Sequence, residues 1–148
     1  MAWITQAYLR NSVGVSTVTA LGLDDAAVFA QFEGECRAAV ASAMQYAGYE
    51  VPITLEPDAI ASLFLQSVVA PLVLRNALQL RKGIKLPPSA DASISEAEWR
   101  LDAIYKKRLP IPGMQPNANN AYGGSTASPV TGPSARVSVF GAGKLNGF

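Results

Sequence analysis

The sequence predicts an all-α protein: a small helical bundle of about four helices over residues 1–109, followed by an extended C-terminal arm over residues 110–148. Three observations carry this expectation. Apolar residues from Val28 to Ala47 recur at steps of mostly three and four, which is one buried stripe of a helix. The stretch from Ala59 to Leu80 is apolar nearly all round, as in a central core helix or a membrane span. From Pro110 onward the composition turns to Pro, Gly, Ser, Thr and Asn, with five prolines and seven glycines in 39 residues, and helix propensity collapses.

The elements follow in order. Thr5 can cap a short helix through Ala7, Tyr8 and Leu9 that ends between Asn11 and Gly14. Ser16 to Leu23 can add a turn or two. Asp24 or Asp25 then caps the long helix whose stripe is Val28, Phe29, Phe32, Cys36, Val40, Ala43 and Ala47, with Gly48 as its stop. Gly34 is a weak point inside it, or a place where another helix approaches closely. Glu33 and Arg37 read as an ordinary i,i+4 surface pair. Glu50 to Leu55 is an extended connector, and Pro57 at the first helical position opens the apolar helix. Pro71 should kink that helix, because proline cannot donate to the carbonyl of Ser67. Leu86 to Ala92 reads as a loop, and Ser93 with Glu96, or Ser95 with Glu98, offers a capping box for the next helix. That helix buries Ala97, Leu101 and Ile104, with Tyr105 at the edge of the stripe and Trp99 off it.

Composition sets bounds on function. The 148 residues fit one domain, and 16% charged residues is low against an average of about 25%. Low charge leaves more apolar surface than a lone small domain hides easily, which favours an oligomer. The net charge of +1 conceals two halves. Residues 1–74 carry two basic and seven acidic residues, net −5, and residues 75–148 carry ten and four, net +6. Two differently solvated faces, subunits packed acidic side to basic side, or a basic surface facing nucleic acid all accommodate this split.

No reaction is written in the sequence. Histidine is absent, which removes the commonest general base and metal ligand. Cys36 is the one cysteine, so no internal disulfide forms, and its spacing makes it a small buried hydrophobe. No phosphate loop, metal-ligand spacing or nucleophile elbow stands out. The expectation is therefore no enzyme, no cofactor and no metal. Met-Ala-Trp-Ile-Thr-Gln lacks the basic and apolar regions of a signal peptide. Ala59 to Leu74 gives sixteen residues without a charge, short of the 18–20 or so a span needs, and Gln66 and Pro71 lie inside it. Length favours a buried helix and no membrane. A small membrane-associated protein with a span at 59–80 and a basic-faced DNA-binding module stand as alternatives.

The order of features resembles a known family. A short N-terminal helix precedes an acid-capped long helix, a Tyr-Glu-Val-Pro-Ile connector and an apolar helix ending in Arg and Lys. A helix with Glu-Trp-Arg-Leu-Asp-Ala-Ile-Tyr, a Leu-Pro-Ile-Pro-Gly exit and a Gly/Ser tail closing on Arg-Val-Ser-Val-Phe and Lys-Leu-Asn-Gly-Phe complete it. This resembles the small head–tail adaptor (connector or head-completion) proteins of tailed bacteriophages, including the Mu-like branch. It departs from them in a longer, Pro-containing tail and a proline-richer Leu86–Ala92 loop. The resemblance implies a homo-oligomeric ring of twelve subunits under the portal protein, at the virion neck, assembled in the host cytoplasm. Such a ring completes the DNA-filled head and offers a docking surface to a stopper or tail-completion protein. DNA passes through its channel without sequence-specific binding.

The candidate functional residues follow from both readings. Arg136, Val137, Val139, Phe140, Lys144, Leu145 and Phe148 are the partner-binding set of the arm. Val137 and Val139 alternate with Arg136, Ser138 and Phe140 at the period of an edge strand, so 135–140 is a β-like segment able to add to a partner's sheet. Folding back on its own bundle is the other destination for the arm. Arg81, Lys82, Lys85, Lys106, Lys107 and Arg108 are candidates for a DNA-facing or inter-subunit surface. Lys106 to Arg108 also end their helix favourably for its dipole, which alone explains the run. Trp99 is either a half-buried anchor or an interface residue.

Overall fold

Side-chain caps and left-handed residues punctuate this chain into helices, in a computed structural model that describes residues 2–51 and 54–117. Five helices form: α1 (Gln6–Val13), α2 (Val15–Ala20), α3 (Ala26–Tyr46), α4 (Ile60–Leu80) and α5 (Pro88–Tyr105). No strand occurs among the described residues, and the fold is the expected all-α bundle, with Val15–Ala20 as a helix of its own. The arm segment 135–140 lies outside the described residues.

The N-terminal caps expected for α1 and α3 form. Thr5 Oγ1 accepts the Tyr8 N–H at 3.1 Å, and Asp25 Oδ1 accepts the N–H groups of Ala27 and Val28 at 2.9 and 3.2 Å. Asp24, the other candidate cap, instead accepts the Thr19 hydroxyl and, at 3.0 Å, the Arg10 guanidinium. The Thr19 hydrogen bond and then the Arg10 contact hold its carboxyl below the ordinary aspartate range. Gln6 Nε2 donates to the carbonyls of both Leu23 and Asp24 at 2.9 Å, tying α1 to the turn before α3.

Three helices end in the same motif. After α3, Tyr49 N–H returns to Met44 O at 2.9 Å and Gly48 N–H to Gln45 O at 3.0 Å, with Gly48 at φ 94. After α2, Leu23 and Gly22 repeat the pattern on Val18 and Thr19, and the hydrophobic contact expected of the motif is the buried pair Leu23 and Val18. After α5, Arg108 N–H returns to Ala103 O and Lys107 N–H to Ile104 O, but the left-handed position is a lysine at φ 59. A left-handed residue with a Cβ is strained by about 1–2 kcal/mol. Lys107→Gly should therefore raise the unfolding free energy by about 1 kcal/mol after glycine's larger entropy loss, read as a higher urea midpoint with unchanged slope.

Two helix starts differ from the sequence expectation. Pro57 does not open α4: it occupies a turn, with Ala59 N–H on Glu56 O at 3.3 Å and Asp58 at φ 63. Proline followed by a positive φ is the pattern of a type II turn, so the helix begins only at Ile60. α5 begins earlier than expected, with Pro88 at its first position and an extended Pro87 before it. Neither capping box forms, because Ser93 and Ser95 fall inside the helix, and Ser93 Oγ donates to Ser89 O at 2.9 Å. Burial of Ala90 and Ile94 extends the apolar stripe upstream and accounts for the earlier start. Gly34 meets only the end of Arg37, so no helix approaches there.

α4 is the central helix, packed against both α3 and α5. It runs antiparallel to α5, with Arg75 beside Glu98 and Ser67 beside Arg100. α3 and α5 run parallel, Ala39 and Ala43 level with Glu98 and Asp102, and Tyr46 stacked on Tyr105. Leu65, Val68, Val69, Leu72, Val73 and Leu74 are fully enclosed, whereas Ile60, Leu63 and Leu80 near the helix ends are exposed. The helix continues through a buried Pro71, which leaves Ser67 O without its helical donor. By length and composition α4 could cross a membrane, yet 56% of its most apolar window is buried inside the bundle. Gln66 is explained by the fold: its amide donates to Trp3 O at 3.0 Å.

Residues 110–117, assigned to the arm by composition, lie against the bundle. Ile111 is buried and its N–H donates to Tyr49 Oη at 3.1 Å. Gly113 lies over Ala61 at the start of α4. Asn117 N–H closes on Gly48 O at 2.6 Å, just past the end of α3.

Candidate interaction surfaces

The N-terminal segment is held by one buried carboxylate. Glu33 is 1% exposed; its Oε2 accepts the Trp3 N–H at 2.7 Å and its Oε1 accepts Arg37 Nε at 3.2 Å. The sequence reading of this pair as a surface contact is corrected: Glu33 faces inward, because Trp3 and Ile4 fold over α3 and bury there. With Gln66 on its carbonyl, Trp3 has both backbone groups satisfied by side chains from α3 and α4. No spacing rule signals this, since the partners lie 30 and 63 residues away.

The six basic candidates do not form one patch. Arg81, Lys82 and Lys85 follow the C-terminal end of α4, whereas Lys106, Lys107 and Arg108 follow the C-terminal end of α5. The two helices are antiparallel, so these groups stand at opposite ends, about 27 Å apart for an 18-residue helix. Arg81 is partly committed, since its guanidinium lies over Gly22, where a Cβ would stand 2.5 Å from Nη2. Lys106 pairs with Asp102 at 3.0 Å. A single basic face for DNA is not what this arrangement makes.

Trp99 is 60% exposed on α5, which removes the half-buried-anchor reading and leaves a large aromatic side chain in water. Tyr46 and Tyr105 are also exposed and stack at 4.4 Å between ring centroids, a pair the sequence reading did not single out. The hint available was an aromatic residue in the last turn of each helix. The pair stands at one end of a groove of about 410 Å³ between α3 and α5, where Ala39, Ser42 and Ala43 face Leu101 and Tyr105. Arg75 and Glu98, paired at 3.1 Å, and Asp102 complete its walls.

A second groove of about 350 Å³ separates α1 from the α4–α5 pair. Arg100 dominates it, donating to Glu96 at 2.6 Å and Ser67 Oγ at 3.1 Å, with its guanidinium 5.3 Å from the centre of the Phe64 ring. These contacts satisfy the arginine within the fold. Among the described residues no group of three or more His, Cys, Asp or Glu is placed to hold a metal ion. The arm residues Arg136, Val137, Val139, Phe140, Lys144, Leu145 and Phe148 lie outside the described residues.

Cys36 is buried as its spacing suggested, and it also accepts a weak hydrogen bond from Asn76 Nδ2 at 3.4 Å. Burial pushes its thiol up to about 11, with Arg75 pulling the other way. Below about pH 8.5 both the folded and unfolded chains hold this proton. Between about pH 8.5 and about 11 the unfolded chain releases it first, so stability falls as pH rises. The loss expected from Cys36 is about 3 kcal/mol by pH 11, seen as a steeper fall in urea midpoint than in a Cys36→Ala variant.

Comparison of the chain with protein-family models, with curated proteins and with solved structures found no match.

Proposed function

We propose that this chain is a non-enzymatic structural protein, a head–tail adaptor subunit of a tailed bacteriophage neck. In this reading the bundle forms the wall of a homo-oligomeric ring of twelve, seated under the portal protein. The arm grips the portal or a neighbouring subunit, and a stopper or tail-completion protein docks below. DNA passes through the channel without sequence-specific contacts.

The observation that carries the reading is the imbalance between core and surface. The described bundle encloses a continuous core of its own, yet leaves Trp99, Tyr46, Tyr105, Ile60, Leu63 and Leu80 exposed. Large aromatic residues on a low-charge surface fit a subunit made to be covered by others. The separated basic ends fit contacts between subunits better than a DNA track. An all-α bundle is also the fold that the resemblance implies.

The test is assembly. Mixed with the portal protein of its own phage, the chain should co-sediment as a ring visible by electron microscopy. A chain that stays monomeric beside the portal would refute the adaptor assignment. Deleting residues 130–148 should leave the helical circular dichroism intact and abolish incorporation into particles. Normal incorporation of the shortened chain would remove the arm from the mechanism.

A further inference from the structure

The groove between α3 and α5 runs towards the same end of α3 at which the described chain stops. α3 leads from Ala39 through Ala43 to Tyr46, and Asn117 is fixed on Gly48 O two residues further on. From there 31 residues of this chain continue beyond the described structure, starting at the C-terminal end of α3, the helix end that also carries Tyr46. We infer that the groove is the seat of residues 136–148 of the same chain. This concerns the isolated subunit and stands or falls separately from the ring.

Three arguments favour that occupant. The first is chemistry. The groove floor is small and apolar, Ala39 and Ala43 against Leu101, and Phe140, Leu145 and Phe148 are apolar side chains of matching chemistry. An aromatic ring entering between parallel helices gains both buried area and contact with the tyrosine pair.

The second is charge. Residues 118–148 carry Arg136 and Lys144 and no acidic residue. The groove wall presents the exposed carboxylates of Glu98 and Asp102. Arg75 and Lys106 each occupy one oxygen of these groups, and a carboxylate accepts further donors on its remaining lone pairs.

The third is reach. The groove runs along the eight residues from Ala39 to Tyr46, seven helical rises or about 10 Å. The 18 residues between Asn117 and Arg136, with the composition of a Gly/Ser/Pro linker, correspond to an end-to-end distance of about 23 Å for a random coil. The segment therefore reaches the whole groove without strain. A tether of this length holds its end at an effective concentration near the millimolar range, far above that of a second copy in a micromolar solution. Covalent connection thus selects the chain's own segment.

Cross-linking of the full chain tests this. Ser42 is exposed in the groove, and a Ser42→Cys variant can be labelled with a benzophenone maleimide while the buried Cys36 thiol stays protonated. Irradiation at 5 μM should give links from position 42 to residues 136–148 within one chain, with a yield unchanged on tenfold dilution. Adding Phe140→Asp, outside the described bundle, should lower that yield at least fivefold with the helical spectrum intact. Links only to other parts of the chain, a yield unaffected by Phe140→Asp, or no links would overturn the inference. A yield that falls with dilution would also overturn it, by assigning the groove to a second copy.

Discussion

Replacing Glu33 by alanine is expected to lower the unfolding free energy by about 2–4 kcal/mol, the largest single effect among the polar residues of the bundle. The carboxylate accepts two hydrogen bonds, and their losses are unequal. Trp3 N–H is buried, and removing Glu33 Oε2 takes away the acceptor that holds it, so the full cost of desolvating a donor appears. Arg37 is different: its side chain is 33% exposed and can turn to water. Arg37→Ala should cost less than Glu33→Ala, about 1–2 kcal/mol, because the buried carboxylate loses its ion-pair partner but keeps the Trp3 N–H. Glu33→Gln should fall between the two, because an amide oxygen can still accept from Trp3 while the charge-assisted part is lost. Urea midpoints of the three variants decide the matter. Equal losses from Glu33→Ala and Arg37→Ala would mean that the i,i+4 ion pair, rather than the anchoring of the N-terminal segment, is what Glu33 contributes.

That asymmetry also shows where the sequence was legible. Features set within one helical turn were readable: the Thr5 cap, the Asp25 cap, the Gly48 stop and the stripe on α3 all depend on neighbours three or four residues away. The exceptions among local features involve proline. Pro57 and Pro88 each have a preset φ that suits both a turn and a helix start, and the residue that follows decides which. Asp58 takes a left-handed conformation and keeps Pro57 in a turn, whereas Ser89 continues the helix from Pro88. Features set by long-range packing were not readable. Glu33 reads as a surface residue until Trp3 folds over it, and Gln66 reads as a flaw in an apolar helix until Trp3 O is placed beside it. The groove between α3 and α5 required knowing that those helices run parallel and side by side, which no periodicity reports.

The second large effect lies in α4, the helix whose sequence fits both a core and a membrane span. Leu72→Ala is expected to cost about 3–4 kcal/mol, because Leu72 is fully enclosed and its removal leaves a cavity that rigid neighbours fill only in part. Leu80→Ala, the same chemistry eight residues on, should cost under about 0.5 kcal/mol, because Leu80 is 75% exposed and already in water. The contrast matters more than either value. A helix surrounded by lipid has neighbours as apolar as leucine on every side, so truncating one leucine exchanges one apolar contact for another, and position along the helix matters little. A helix packed into a bundle has fixed neighbours on its buried face and water on the rest, so identical truncations differ by several kcal/mol. Urea midpoints for the two variants, measured without detergent, read this difference directly. Near-equal losses at Leu72 and Leu80 would contradict the central position of α4 and the packing of its middle against α3 and α5.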